Sequence, residues 1–368
     1  MGTDAVRVGV IGTGFGRAVH IPALRRVSGA EIVGVASADP RRARQVAEEC
    51  SVPRAFGSWE EMVQSADVDA VTIATPPSSH ARIAIAAAAA GKSVFCEKPL
   101  ALNAGEAASM LAAVRAAGVA HAVAFEFREI PAFRVAHDWL AGGEAGTLRH
   151  VNVRRIVGSW SDPTREWSWR AEGGQGAGAL SALGVHVFDY VEWLFGPVRA
   201  VAARARTSIA SRPDAGHARA VTAEDCCDLL MELADGTPVS VQLSMVGAQG
   251  RGHWIEAHGA RKMLTLGSAD VRDYAKGFEA REGERGKADD RTLPGSAGGD
   301  RDDEDGRIAP MAALMQRFVT AVRNGLADIR PSFEEGARAQ LLLDAAEQAS
   351  RERRWIDLPA PAGLEVMR

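Results

Sequence analysis

The apolar positions of the chain fall into two textures. Val6-Arg-Val-Gly-Val-Ile11 is a short, mostly apolar run that stops at Gly12, and a helical pattern begins near Gly16. Such a run fits a central strand of a parallel sheet, buried on both faces, better than strict alternation would. Residues 30–36, 69–74, 93–97 and 121–127 repeat that signature. Between them, residues 40–50, 79–90 and 103–117 read as helices. The second of these is alanine-rich, a strong intrinsic former, and Asn103 is placed to cap the third. Strands alternating with helices at this spacing predict a doubly wound α/β unit. Its right-handed crossovers collect the strand C-termini on one edge, where open sheets bind ligands.

After about residue 123 the texture changes. Residues 147–156 read as a strand, followed by a loop with Trp160, Trp167 and Trp169, a Gly-rich stretch at 173–178, and a helix with a strongly apolar face at 179–195. Residues 198–209, 225–233, 239–247 and 253–259 resemble successive strands of a largely antiparallel sheet, with a turn at Asp235-Gly236. Residues 268–308 carry two charge-dense runs, 279–290 and 298–306, that can bury almost nothing. They are expected to form a mobile surface insertion. Helical periodicity returns at 309–324 and 333–353.

Composition narrows the class. With 368 residues, 46% hydrophobic and 24% charged, the chain has too much apolar material for a disordered protein and too much length for one core, so two domains are expected. Lys plus Arg is 43 against 47 Asp plus Glu, a net charge of -4, which offers no concentrated positive field for a nucleic-acid partner. The four cysteines form no CxxC pair, and no histidine, cysteine or carboxylate constellation suggests a metal. The first residues lack the apolar run of a secretion signal, and no apolar stretch approaches the roughly 18 residues of a membrane span. A soluble cytoplasmic protein with no nucleic-acid or membrane partner is expected.

Gly12-Thr13-Gly14-Phe15-Gly16 follows the first strand and opens a helix, the context in which a glycine motif binds a dinucleotide. Gly12 permits the tight turn, Gly14 admits a pyrophosphate close to the backbone, and helix N-terminal amides meet its charge. The third fingerprint position is Arg17, with Gly16 one residue early, and the alternative is a purely structural glycine turn. The second strand ends Val35-Ala36-Ser37-Ala38, with the first acid, Asp39, only in the turn. An acid at the strand end would hold an adenosine ribose diol. Ser37 with Arg41, Arg42 and Arg44 instead suits a 2′-phosphate, favouring NADP over NAD; the alternative for the arginines is a solvated helix face.

Taken together, Gly12-Thr-Gly-Phe-Gly with His20-Ile-Pro22, Ala74-Thr-Pro-Pro-Ser-Ser-His80 and Glu97-Lys-Pro-Leu100 resemble the Gfo/Idh/MocA family of sugar and polyol oxidoreductases, in order and spacing. Gly184-Val-His186-Val-Phe-Asp189 and Arg330-Pro-Ser-Phe-Glu-Glu-Gly336 extend the resemblance over nearly the whole chain. It implies an N-terminal Rossmann domain over 1–123 and a C-terminal α+β domain over 124–368, built on an open, largely antiparallel sheet that often forms a dimer interface. A homodimer or homotetramer is expected. Thr75, Pro76, Pro77 and His80 are expected at the cofactor edge, His80 beginning a helix there and reading as a local structural partner rather than an acid or base. The resemblance implies that Glu97 holds the next loop and that the Lys98-Pro99 peptide is cis. Read on its own, Lys98 ends a parallel strand where a nicotinamide would lie, and its ammonium can stabilise or protonate an alkoxide. Pro99 restricts it to extended geometry. A plain surface lysine is the alternative.

His186 is the second candidate catalytic residue, suited to general acid-base work or to a substrate hydrogen bond; a structural core histidine is the alternative. The family commonly carries Asp one turn earlier, where this chain has Ala182, so the usual relay does not transfer. A branch of the family combines Glu-Phe-Arg, here Glu126-Phe-Arg128, with an uncharged residue at the Ala182 position. Glu126 is thus a candidate to restore a charge or bind substrate, against a salt bridge to Arg128 or Arg134. Asp189 shares the His186 face and reads as an anchor or a substrate contact. Trp160, Arg165, Trp167, Trp169 and Arg170 are candidate substrate contacts, since indole faces suit sugar rings; His253 and Trp254 are rim candidates.

The function expected from these residues is hydride transfer between a nicotinamide cofactor and a secondary alcohol or ketone of a sugar, inositol or related small polar polyol. A reductase of an imine or conjugated double bond is the alternative among enzymes. A catalytically silent dinucleotide-binding regulator is the alternative outside them.

Overall fold

The structure, a computed structural model, describes residues 5–287, 289–296, 305–327 and 329–360. It divides into two units, 1–129 with 303–340, and 130–302 with 341–368.

The first unit is built on five parallel strands, β1 (Val6–Ile11), β2 (Ala30–Ala36), β3 (Ala70–Ile73), β4 (Ser93–Cys96) and β5 (His121–Val123), in the order β2-β1-β3-β4-β5. Every residue of β3, β4 and β5 is buried, as a strand covered on both faces requires. The order reverses between β1 and β3, which makes their C-terminal ends the ligand-binding switch point of the sheet. The helices are α1 (Ile21–Leu24), α2 (Pro40–Glu49), α3 (Trp59–Gln64), α4 (His80–Ala89) and α5 (Ala104–Ala117). Asp39, Ser58 and Asn103 cap α2, α3 and α5 by accepting backbone N–H bonds from Arg41, Glu61 and Glu106.

The second unit carries a nine-stranded sheet. Its strands are β6 (Leu148–Ile156), β7 (Val198–Arg206), β10 (Cys226–Leu233), β11 (Pro238–Ser244), β12 (Gly252–Gly259), β13 (Lys262–Ser268), β14 (Glu279–Glu284), β15 (Arg291–Thr292) and β16 (Ile356–Asp357), while β8 (Ser211–Asp214) and β9 (His217–Ala220) form a separate hairpin. The order is β15-β14-β13-β12-β6-β11-β10-β7-β16, antiparallel throughout except for the β6–β11 pair. Strict alternation in β10 and β11 buries Leu229, Met231, Val241 and Leu243 and exposes the residues between them. On the covered face lie α6 (Pro131–Ala141) and α7 (Val185–Phe195), where Phe133 packs edge-on against Tyr190 and Phe278.

The chain then enters α8 (Ile308–Arg323) and α9 (Phe333–Glu352). The apolar stripe of α8, including Met311, Leu314, Met315 and Phe318, joins the core of β1 and β4, with Phe318 edge-on to Phe95 at 5.7 Å. Each large side chain buried this way contributes about 2 kcal/mol. Ser332 caps the start of α9: its Oγ accepts the Glu334 N–H, and its own N–H donates to the Glu335 carboxylate.

Three expectations change. The division at 123/124 becomes a discontinuous one, because α8 buries its stripe against the first sheet; periodicity showed the stripe but not its partner. The stretch 268–308 is not a bare insertion: β14 and β15 extend the sheet, and Phe278, Ala280 and Leu293 are buried. Its residues 288 and 297–304 lie outside the described residues. The helix expected at 179–195 begins as a π-helical turn, Leu180–Gly184, before α7. Among the described residues no helix is long and apolar enough to cross a membrane.

Candidate active site

The glycine turn lies at the switch point. Gly12 has φ +116°, and a Cβ there would collide with the Ala74 carbonyl at the end of β3, so only glycine fits. Gly14 is exposed, and a Cβ would meet nothing within 4 Å, which leaves its backbone open to a ligand. Gly16 performs the packing role of a third fingerprint glycine: a Cβ would press on Val10 at 3.0 Å. Arg17 points outward instead and pairs with Glu49 at 2.9 Å. A π-helical turn, Gly16–His20, follows; such turns gather at functional sites. The imperfect fingerprint is therefore a displaced one, with Gly16 in the close contact and Arg17 in solvent. Phe15 is half-buried and packs edge-on against His20.

At the end of β2, Thr13 Oγ1 lies 3.3 Å from Ser37 Oγ and accepts a bond from Arg42 Nε at 3.2 Å. Asp39 is committed to its cap, accepting the Arg41 N–H at 2.9 Å and lying beside the Arg41 guanidinium. These bonds hold its carboxyl below the ordinary carboxylate range. An exposed glycine backbone, a hydroxyl pair and a guanidinium around one strand end fit a dinucleotide. Thr75 accepts a bond from Ser79 at 2.7 Å; Pro76 is exposed, and Pro77 is buried at the start of a short 3-10 turn.

The next strand end carries Glu97, Lys98 and Pro99. Lys98 is half-buried and the Lys98-Pro99 peptide is cis. Glu97 is buried and accepts the Lys98 N–H at 3.2 Å, while its other oxygen meets His20 Nε2 at 3.0 Å. His80 is fully buried, with Nδ1 3.0 Å from the Pro99 carbonyl and Nε2 2.9 Å from that of Thr75; burial lowers its pKa. The motif reading placed His80 here but left His20 without a partner. β5 runs beside β4 in parallel, and the Ala124 N–H donates to the Cys96 carbonyl. Glu126, buried in the following 3-10 turn, therefore leaves the sheet on the same edge as Lys98. Arg128, weighed as its partner, lies 4.0 Å from Glu335.

In the second unit His186 and Asp189 are both buried on α7. Ala182 lies in the π turn, so the four-residue step to His186 crosses a change of helix geometry rather than one regular turn. Trp160, Arg165, Trp167, Trp169 and Arg170 do form a cluster, with two arginines that sequence reading missed. Arg165 and Arg212 stack on Trp160 at 4.4 and 5.0 Å, Arg170 on Trp169 at 4.6 Å, and Arg219 on Trp167 at 3.3 Å. Trp167 is also tied to the hairpin through its N–H to Pro213 and its indole N–H to Ala220. His253 is a core residue and no rim: it is buried 2.9 Å from the Tyr190 hydroxyl, and burial drives its pKa well down. Trp254 lies on the opposite, open face of the sheet and donates to Arg251. Among the described residues no group of three or more metal-ligating side chains comes together.

This architecture defines an oxidoreductase with an NAD-binding Rossmann domain. Residues 6–125 match the model of the Gfo/Idh/MocA oxidoreductase family, NAD-binding Rossmann fold, and residues 138–358 match that of the family's C-terminal alpha/beta domain. The chain belongs to this family. An uncharacterized oxidoreductase of Synechocystis sp. is 36% identical over 96% of both chains. Levoglucosan dehydrogenase of Pseudarthrobacter phenanthrenivorans is 29% identical over 88% of this chain and 89% of its own. A solved structure of levoglucosan dehydrogenase in complex with NADH and L-sorbose superposes with a TM-score of 0.88 at 27% identity, covering 97% of this chain and 99% of that one. The catalytically silent regulator considered for Ala182 is set aside: the chain is an NAD(P)-dependent oxidoreductase.

Proposed function

We propose that this enzyme interconverts a secondary alcohol and the corresponding ketone of a sugar, inositol or related polyol. The observation that carries this reading is Lys98, held by Glu97 at the C-terminal end of β4 on the ligand-binding edge of the Rossmann sheet. Nicotinamide, when bound, supplies the hydride chemistry. Gly12, Gly14 and the turn to Gly16 hold the pyrophosphate, and Thr13, Ser37 and Arg42 hold the adenosine end. Lys98 Nζ holds the proton at the substrate oxygen, and its charge steadies negative charge developing there. Glu126 supplies a carboxylate for a substrate hydroxyl. In the second unit, taken by itself, His186 is the candidate for general acid-base work or a substrate hydrogen bond, Asp189 for an anchor or a substrate contact, and the Trp160–Arg170 cluster for substrate contact. The activity named for levoglucosan dehydrogenase supports the substrate class. A panel of sugars, inositols and anhydrosugars read by nicotinamide absorbance tests it; turnover of imines or conjugated double bonds alone would overturn it.

NADP(H) is proposed as the preferred cofactor, on Arg42 beside Thr13 and Ser37 and on the engagement of Asp39 as a cap. Side-by-side fluorescence titrations with NADPH and NADH decide it, and tighter NADH would place Asp39 on the ribose. A second copy of this chain is proposed as the partner of the open sheet face. Leu230 is 52% exposed there, and Arg154 and Arg204 share the face with Asp228 and Glu256, so a two-fold copy can match its charges. Light scattering on Leu230→Asp should show a smaller particle than the wild type.

A further inference from the structure

The turn that presents Lys98 is fixed by two buried histidines from different parts of the chain. His20 comes from the π turn after the glycine loop and is fully buried; His80 opens α4 and is fully buried. The Glu97 carboxylate only accepts hydrogen bonds, so the His20 ring carries its proton on Nε2. Its Nδ1 has no hydrogen-bond partner among the described residues, and the ring packs edge-on with Phe15 and Phe95, centroids 5.7 and 5.8 Å away. The ring therefore has one polar task, to hold Glu97 Oε1 while Oε2 takes the Lys98 N–H. His80 acts on the next residue. Its two nitrogens lie 3.0 and 2.9 Å from the carbonyls of Pro99 and Thr75; both carbonyls only accept, so a neutral ring donates to one of them and only a doubly protonated ring to both. One side chain thus spans the loops that leave β3 and β4. Neither histidine has an exposed atom with which to meet substrate, so neither is a catalytic residue.

We propose that His20 and His80 are positioning residues for Lys98, His20 acting through the Glu97 carboxylate and His80 through the Pro99 carbonyl. The proposal rests on the reading of Lys98 as the proton-handling group. A pair of outer partners fixing a reactive side chain is how sites keep the sub-ångström placement that proton transfer needs. The arrangement also links the glycine loop to Lys98 through a single side chain, because His20 closes the turn that Gly16 begins.

The test exploits a scarcity. The chain has five lysines, Lys92, Lys98, Lys262, Lys276 and Lys287. Reductive methylation with carbon-13 formaldehyde labels these and the terminal amine, and Lys98→Arg assigns the Lys98 signal. In His20→Leu and His80→Leu the Lys98 methyl signal is expected to move or broaden while the other four hold. His20→Gln and His80→Asn, whose amide N–H groups take the places of Nε2 and Nδ1, are expected to restore it. Turnover of the Leu variants should fall roughly tenfold to a hundredfold with NADH affinity within about threefold. A Lys98 signal that stays in place in a folded Leu variant overturns the proposal, as does a general movement of all five. Should a Leu variant fail to fold, the Gln and Asn variants decide: their Lys98 signal must coincide with the wild type, and displacement overturns the proposal. Absence of sugar or polyol turnover in the wild type counts against the substrate class alone and leaves the methyl comparison standing.

Discussion

The end of β4 and the tryptophan cluster of the second unit solve the placement of charge in opposite ways. At Glu97–Pro99 distances of 3.0–3.2 Å tie the carboxylate to His20 of the π turn and to the neighbouring Lys98 N–H, and the Pro99 carbonyl to His80 at the start of α4. In the cluster, Arg165, Arg170 and Arg212 form no ion pair among the described residues, although Arg212 is only 3% exposed. They lie on indole faces, and Arg212 donates instead to the carbonyls of Trp160 and Asp162. Directional bonds hold one reactive atom in place. Stacked cations and indoles hold a surface whose shape, rather than any single atom, would select a ligand.

If that contrast is right, single substitutions at the two regions should fail differently. The largest effect is expected from Lys98→Met, which should lower turnover roughly 10³-fold, about 4 kcal/mol, while leaving NADPH or NADH affinity within about threefold. Near-normal rates would break the comparison by making Lys98 a surface lysine. Arg212→Met comes next and should act on stability. It removes two charge-assisted bonds and leaves the Trp160 and Asp162 carbonyls without them, a loss of about 2 kcal/mol. For a domain of this size that lowers Tm by about 4–8 °C. Calorimetry without that drop would show that the arginine does not brace the cluster.

The same contrast explains what was legible in the sequence. The parallel strands, the glycine turn, Glu97-Lys98-Pro99 and His80 all sit in short contiguous motifs whose chemistry depends on the strand or helix next to them. The cluster depends on partners far along the chain: Arg212 and Trp160 are 52 residues apart, and Arg219 and Trp167 are as far from each other. No local pattern announces such pairs. His20 stood in a motif, but its task was not legible for the same reason, since its partner Glu97 lies 77 residues away. The hairpin of β8 and β9 did leave a signal, in Asp214-Ala215-Gly216, where Ala215 and Gly216 both take positive φ. Arg42 lies between the two cases, a local motif with a through-space partner. Arg42→Ala should weaken NADPH about tenfold, about 1.4 kcal/mol, and NADH by much less. Equal loss of both would mean that Arg42 supports Thr13 rather than a 2′-phosphate.

The smallest effect tests the one region where composition misled. Charge density in 279–290 suggested a stretch unable to bury anything, yet Glu282 on β14 gathers Arg291, Lys262 and the Trp139 indole N–H around one carboxylate. These partners, Arg291 foremost, hold its pKa down at about 2, against 4.5 for a free side chain. A carboxyl depressed in the folded state stabilises the fold above its unfolded pKa, and that contribution fades as pH falls from 4.5 toward 2. Because Arg291 is largely exposed, solvent screening limits the whole to about 1 kcal/mol. Glu282→Gln should therefore lower Tm by about 2–4 °C at pH 7. The wild-type advantage should shrink steadily below pH 4.5. A gap that persisted unchanged toward pH 2 would mean the edge strands are held by Ala280 and Leu293 packing and not by charge. A gap absent at pH 7 as well would return β14 and β15 to the solvated insertion that their composition suggests.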